Sequence, residues 1–259
     1  MKLYLFEAGV LKSQKHFFTA NEGVGEAFVV PVPFLLIDHP KGKVLFDTGC
    51  AFEIIDEKQA HWGDVLAAYD PVMTEDQWCV NAIKKAGCSA EDIDYVILSH
   101  LHLDHAGGVG HFPNARYIVQ RDELHFAYVP DPYMKGAYIR KDFDKDVDWF
   151  ILNGWTDDKF DLFNDGSIQI YFTPGHTPGH QSVLVNLPDA GPMFFAADAC
   201  YTGDNLQNGT LPGLMWNAEQ TVRSVERMRF LKGAQDVTIV TGHDPVAWKQ
   251  FKQAPEYYT

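Results

Sequence analysis

The stretch Ser99-His100-Leu101-His102-Leu103-Asp104-His105-Ala106-Gly107-Gly108 decides how this chain is read. Three imidazoles and a carboxylate fall within six residues. They follow the apolar run Tyr95-Val96-Ile97-Leu98, whose spacing predicts a buried strand, and precede a glycine pair that predicts a turn. In an extended segment His100, His102 and Asp104 project to one side, and a turn after Asp104 brings His105 beside them. Set among leucines, such groups carry a desolvation cost that a polar loop of capping and surface histidines leaves unexplained. Neutral imidazole and carboxylate suit zinc, and also iron, cobalt or manganese.

Outward from this cluster, three further ligand types stand at predicted strand ends: His176 in Thr173-Pro174-Gly175-His176, Asp198 after Phe194-Phe195-Ala196-Ala197, and His243 in Thr241-Gly242-His243. Singly, each reads equally well as a turn or cap residue. With the cluster they make five His and two Asp, enough for two metals and more than one metal needs. His180 looks similar, but the ligand count is already full, so it is expected to make a supporting hydrogen bond. Asp47 either orients a ligand His or simply forms a turn. His16, His39, His61, His111 and His125 lack companions and are expected in surface or capping roles, and Trp62 is read as a packed core residue or as an acyl-pocket wall.

The pattern predicts a strand at the N-terminus, where no signal-peptide cleavage site is visible, and a hairpin over Phe28 to Phe46 turning at His39-Pro40-Lys41-Gly42. Thr74-Glu75-Asp76-Gln77 has the form of a capping box, and Trp78, Ala82, Ile83 and Ala86 predict a helix closed by Gly87. Strands are predicted over Ile168 to Phe172, Ser182 to Asn186, Met193 to Ala197 and Val237 to Val240. Asn217 to Leu231 predicts an amphipathic helix capped by Asn217 and Gln220, stopped at Gly233, with Val222, Val225, Met228 and Leu231 on one side. Strands alternating with helices imply a layered α/β chain, with two facing sheets and helices outside.

With 259 residues and 46% hydrophobic content the chain can bury a large core, and no linker divides it, so residues 1–259 are read as one domain. A formal charge of -14 disfavours nucleic acid and anionic membranes as partners, and no apolar run approaches a membrane span. Cys50, Cys79, Cys88 and Cys200 lie far apart without a CxxC pair, which predicts reduced, partly buried thiols and a cytoplasmic location.

The ligand series as a whole, from Ser99-His-Leu-His-Leu-Asp-His-Ala-Gly-Gly through Gly-His176-Thr-Pro-Gly-His180 and Asp198 to Gly-His243, resembles that of the metallo-β-lactamase superfamily. Asp198-Ala199-Cys200-Tyr201, Met73-Thr74-Glu75-Asp76, Ile118-Val119-Gln120-Arg121 and Thr241-Gly242-His243-Asp244-Pro245 are similar to the N-acyl-homoserine lactone lactonases within it. The resemblance implies an αββα sandwich of two related halves with the metal site between them. It implies that His100, His102 and His176 hold one divalent metal, Asp104, His105 and His243 a second, and that Asp198 bridges them. Zn2+ is the first expectation, with Fe, Co or Mn as alternatives. It further implies hydrolysis of the lactone ring by a hydroxide shared between the metals, with Tyr201 as a donor to the carbonyl oxygen and Asp104 as a proton relay. The partner is then a small acyl lactone, and a homodimer is compatible with this reading.

Three other functions fit the ligand series less well. A glyoxalase II-like thioesterase normally carries a helical region and basic residues for glutathione, whereas sixteen residues, with Lys249 and Lys252, follow His243. A persulfide dioxygenase-like enzyme would use one iron, and a non-catalytic metal-binding protein would not need Tyr201.

Overall fold

The computed structural model describes residues 1–259. In chain order the strands are β1 (Lys2–Gln14), β2 (Ala27–His39), β3 (Gly42–Phe46), β4 (Asp70–Val72), β5 (Ile93–Ile97), β6 (Arg116–Gln120), β7 (Asp148–Leu152), β8 (Lys159–Asp161), β9 (Ile168–Phe172), β10 (Gln181–Leu187), β11 (Gly191–Phe195) and β12 (Thr238–Val240). The helices are α1 (Ile54–Trp62), α2 (Cys79–Ala82), α3 (Arg121–Tyr128), α4 (Arg140–Phe143), α5 (Gly203–Asn208) and α6 (Ala218–Gln235). One sheet has the order β4-β1-β2-β3-β5-β6-β7, the other β12-β11-β10-β9-β8. Both are mixed: β3, β5, β6 and β7 run parallel in the first, and β11 pairs parallel with β12 in the second.

Side-chain alternation turns two sheets into four layers. Across the first sheet, register aligns Leu5, Leu35, Phe46, Ile97 and Ile118 in one row, and across the second it aligns Ile170, Val183, Phe195 and Val240. Both rows enter a single buried cluster, so the sheets face each other through it. The intervening positions point the opposite way. Tyr4, Phe34, Leu36 and Val96 meet Ile54, Trp62, Cys79 and Ile83, while Leu184, Phe194 and Ala196 meet Val225, Met228 and Leu231 of α6. Truncating a row member such as Ile97 to Ala would cost about 2–5 kcal/mol, the range for a buried cavity.

The predicted hairpin and the strand before His100 form as expected, as do the four later strands within a residue or two. Two helices differ from expectation. Residues 74–77 form a turn in which Gln77 Oε1 accepts from Thr74 N at 3.0 Å, and only single α and 3-10 turns follow before Gly87 closes them at φ 73°. Each turn has its own buried anchor, Cys79 and Ile83, and a chain pinned so closely tightens rather than propagates. The amphipathic helix starts as predicted, with Asn217 Oδ1 accepting from Gln220 N, but runs through Gly233 and ends where Asp236 adopts φ 51°. Its buried face is Thr221, Ser224, Val225, Met228 and Leu231; Val222, about 100° round the helix from Thr221, is 46% exposed. All four cysteines are free and buried. No helix is long and apolar enough to cross a membrane.

Candidate metal centre

Every clustered His and Asp stands just beyond the carboxyl end of a strand. β5 delivers His100, β9 delivers His176, β11 delivers Asp198 and β12 delivers His243, so the two sheets meet at one end around these groups. Local backbone details aim them. Gly107 packs against Cys50 and Ala51 so closely that a Cβ would sit 2.0 Å from Ala51 N, which folds the cluster loop back on the turn after β3. Ala197, next to Asp198, holds a left-handed φ of 45°, a strained setting for a non-glycine residue. Backbone bonds from Gly242 N to Cys200 O and from His243 N to Tyr201 O join the loops after β11 and β12.

Two groups of ligand atoms result: His100, His102, His176 and Asp198 in one, Asp104, His105 and His243 in the other, each within 4.8 Å of its companions. Asp198 faces both. Its Oδ2 lies 3.6 Å from His100 Nε2 and 3.2 Å from His176 Nε2, while its Oδ1 lies 3.2 Å from His105 Nε2 and 3.1 Å from His243 Nε2. His102 Nδ1 stands 2.9 Å from His176 Nε2, and Asp104 Oδ2 is 3.7 and 3.6 Å from His105 and His243.

The second nitrogen of most rings is occupied, which assigns the tautomer. His105 Nδ1 meets Asp47 Oδ2 at 2.8 Å, His243 Nδ1 meets Pro31 O at 2.8 Å, and His100 Nδ1 meets Ser99 Oγ at 2.9 Å. Asp47 also accepts from Ser99 N, so it orients a cluster residue in addition to forming a turn. Pointing inward, Nε2 of His100 and His105 and Oδ1 of Asp198 are buried with no hydrogen-bond partner, because the short contact of His105 with Asp198 lacks hydrogen-bond alignment. Buried polar atoms left unpaired at one point are costly, and a divalent cation, displacing any proton they carry, would satisfy them together. The residues therefore fit metal ions.

Electrostatics separate the groups. Burial holds His100, His102 and His176 below the ordinary histidine value, with neighbouring imidazoles adding to the effect at His100 and His102. His105 and His243 are raised: burial opposes their charge, but Asp198 and Asp104 outweigh it, with Asp47 helping at His105. Burial would raise Asp198, yet the positive charge of His105 and His243 drives it well below the carboxylate range.

Tyr201 is buried with its hydroxyl 3.1 Å from His176 Nδ1. That nitrogen also faces Leu214 O at 3.2 Å, so it carries the proton, and the phenolic hydrogen is directed to Asp198. Burial and the charge of Asp198 push the phenol up, keeping it protonated. A small cavity opens beside Asp104, Asp198, Tyr201 and His243, and its apolar wall is Leu11, Phe18, Leu103 and Leu214 with the Tyr69 ring. Sequence reading missed these wall residues, which share no motif. A larger groove of about 800 Å³ lies at the amino ends of β5, β6 and β7 but holds none of the clustered histidines. Its Arg116 pairs with Asp148 at 2.7 Å, as a solvated surface would.

Outside the two groups, His180 Nδ1 lies 2.9 Å from Thr173 Oγ1, which is no ligand, while its Nε2 is buried without a partner, and Trp62 packs in the core. His61 does not behave as a surface residue: it is buried and meets Asp142 Oδ1 at 2.7 Å. The partner lies 81 residues away, beyond any spacing rule.

Fold and centre are those of the metallo-beta-lactamase superfamily, whose family model matches residues 27–243, and the chain belongs to it. It is 47% identical over 259 residues to the N-acyl homoserine lactonase AttM of Agrobacterium fabrum, covering 100% of this chain and 98% of the relative. It is 30% identical over 257 residues to the N-acyl homoserine lactonase AiiA of Bacillus thuringiensis subsp. kurstaki, covering 99% and 98%. Within the superfamily it thus belongs with the N-acyl homoserine lactonases. A solved structure of an N-acyl homoserine lactone hydrolase, with N-hexanoyl-L-homoserine bound at its catalytic metal centre, superposes with a TM-score of 0.89 at 29% identity over 99% of this chain and 98% of that one.

Proposed function

We propose that this chain hydrolyses the lactone ring of N-acyl homoserine lactones to N-acyl homoserines. The observation that carries the reading is the division of Asp198, one oxygen toward His100 and His176 and the other toward His105 and His243, beside a buried phenol. His100, His102 and His176 would hold one divalent ion, Asp104, His105 and His243 the other, with Asp198 shared. Zinc suits the imidazole-rich first set best. When bound, two such ions supply an acidified water and Lewis-acid polarisation of the ester carbonyl.

The chain's own groups do the rest. Tyr201 donates its hydroxyl hydrogen to the carbonyl oxygen as negative charge develops there. Asp104 borders the same cavity and would pass a proton to the ring oxygen as the C–O bond breaks. The water contributes OH to the carbonyl carbon and H to the ring oxygen, and the new carboxylic acid releases one proton near neutral pH. Leu11, Phe18 and Leu214 form the wall along which an acyl chain would lie. Residues 1–259 act as one domain, and the buried free thiols suit a cytoplasmic location.

A pH-indicator assay across acyl lengths, with mass detection of the ring-opened product, tests the function beside a glutathione thioester and a β-lactam. A higher kcat/KM for the thioester would overturn the lactonase reading.

A further inference from the structure

Glu123, near the start of α3, is 0% exposed yet borders no cavity at the centre. A buried carboxylate is costly unless its lone pairs are filled, and here donors fill them from three separate segments. Oε1 accepts from Leu101 N at 2.9 Å and from the Tyr138 hydroxyl at 3.0 Å. Oε2 accepts from the Thr177 hydroxyl at 2.5 Å, and Gly179 N donates as well.

The donors have a pattern. Leu101 lies between His100 and His102, and Thr177 directly follows His176. The Tyr138 ring stands edge-on to His102 with centroids 4.5 Å apart. Gly179 packs so tightly on α3 that a Cβ there would lie 2.1 Å from Glu123 N. One carboxylate thus ties together the loops carrying the three-histidine set, one from each sheet, and contacts neither Asp104, His105 nor His243. That second group has its own carboxylate, Asp47, which meets His105 directly and His100 only through Ser99.

We propose that Glu123 is the positioning residue of the three-histidine half of the centre, holding His100, His102 and His176 in register before any metal arrives. The inference rests on the metal assignment proposed above. A ligand set fixed in advance loses little conformational freedom on binding, so loosening the clamp weakens affinity without touching a ligand. Glu123→Gln keeps the size but replaces one acceptor with an NH2 group, which must then face a donor.

The test is a zinc(II) titration of the full chain against a competing chromophoric chelator, for the wild type, Glu123→Gln and Asp47→Asn, together with thermal melts of each metal-free protein. Glu123→Gln is expected to weaken one zinc equivalent by about 10- to 100-fold, the usual range for groups supporting metal ligands, and Asp47→Asn to weaken chiefly the other. Two zinc affinities equal to the wild type's, with only a lower melting temperature, would make Glu123 merely structural and overturn the proposal. Loss of both equivalents to the same degree would also overturn it. A wild type that binds no zinc would instead remove the metal assignment. Should Glu123→Gln fail to fold, Thr177→Val and Tyr138→Phe each remove one donor, and each should weaken the same single equivalent by a smaller factor; no change in either would be decisive against the clamp.

Discussion

The two halves of the metal centre are built differently. Around His100, His102 and His176 the direct supports of the rings are neutral, Ser99 Oγ and Leu214 O, and burial keeps the imidazoles uncharged. In the other half His105 leans on the carboxylate of Asp47 and His243 on Pro31 O, and the nearby Asp198 and Asp104 make both rings favour protonation. The first half is a set of bare lone pairs ready for a cation. The second is an ion network that protons hold together until a cation replaces them. Asp198 belongs to both, so it is where the halves can be uncoupled.

Asp198→Ala should produce the largest effect, because it leaves two sets of ligands without the shared anion. Metal content and activity are expected to fall together, activity by more than about a thousandfold, beyond the loss of a single oxyanion donor. Elemental analysis beside turnover checks this, and full activity in the variant would end the bridging assignment. Tyr201→Phe removes a donor but no ligand, so metal content should persist while kcat drops about 10- to 1000-fold. Unchanged kcat would mean that the phenol only packs.

Asp47→Asn sharpens the contrast between halves. It weakens the acceptor on His105 Nδ1 directly and touches the three-histidine set only through Ser99, which it holds beside His100, so one zinc equivalent should loosen by about 10- to 100-fold and the other by less. Equal loosening of both would erase the distinction between the halves.

The smallest effect is on pH dependence. His105 and His243 are raised in the folded, metal-free chain, so their charged forms stabilise it below the ordinary histidine value of about 6.5, and this contribution is lost as pH rises through the raised values. Metal must displace those protons, so binding by this half should strengthen with pH across the same window. The depressed histidines are already neutral there, and binding by their half should stay nearly flat. Calorimetry in buffers of different ionisation enthalpy counts the protons released, and equal release for both equivalents would contradict the comparison.

Much of the centre was legible because it is written locally. His100, His102 and Asp104 alternate after an apolar strand, and His176, Asp198 and His243 each follow another, so period and strand end together announce them. The capping of α6 by Asn217 was legible for the same reason, since a cap acts within one turn. The end of that helix was not, because Gly233 permits a stop without requiring one. Thr74 to Gln77 carried a cap-like pattern that the buried anchors Cys79 and Ile83 overrode.

The sequence by itself determined the ligand types, their order, the phenol at Tyr201 and the alternation that makes each sheet two-faced. Only the tertiary structure decided that Glu123 would grip Leu101 and Thr177, that Asp47 would meet His105 across 58 residues, that His61 would find Asp142, and that Leu11, Phe18, Tyr69 and Leu214 would wall one cavity. Backbone periodicity fixes where neighbouring side chains point, and it acts over a few residues. Which distant groups meet depends on how the two sheets pack, and a buried carboxylate reveals its purpose only once its donors have gathered around it.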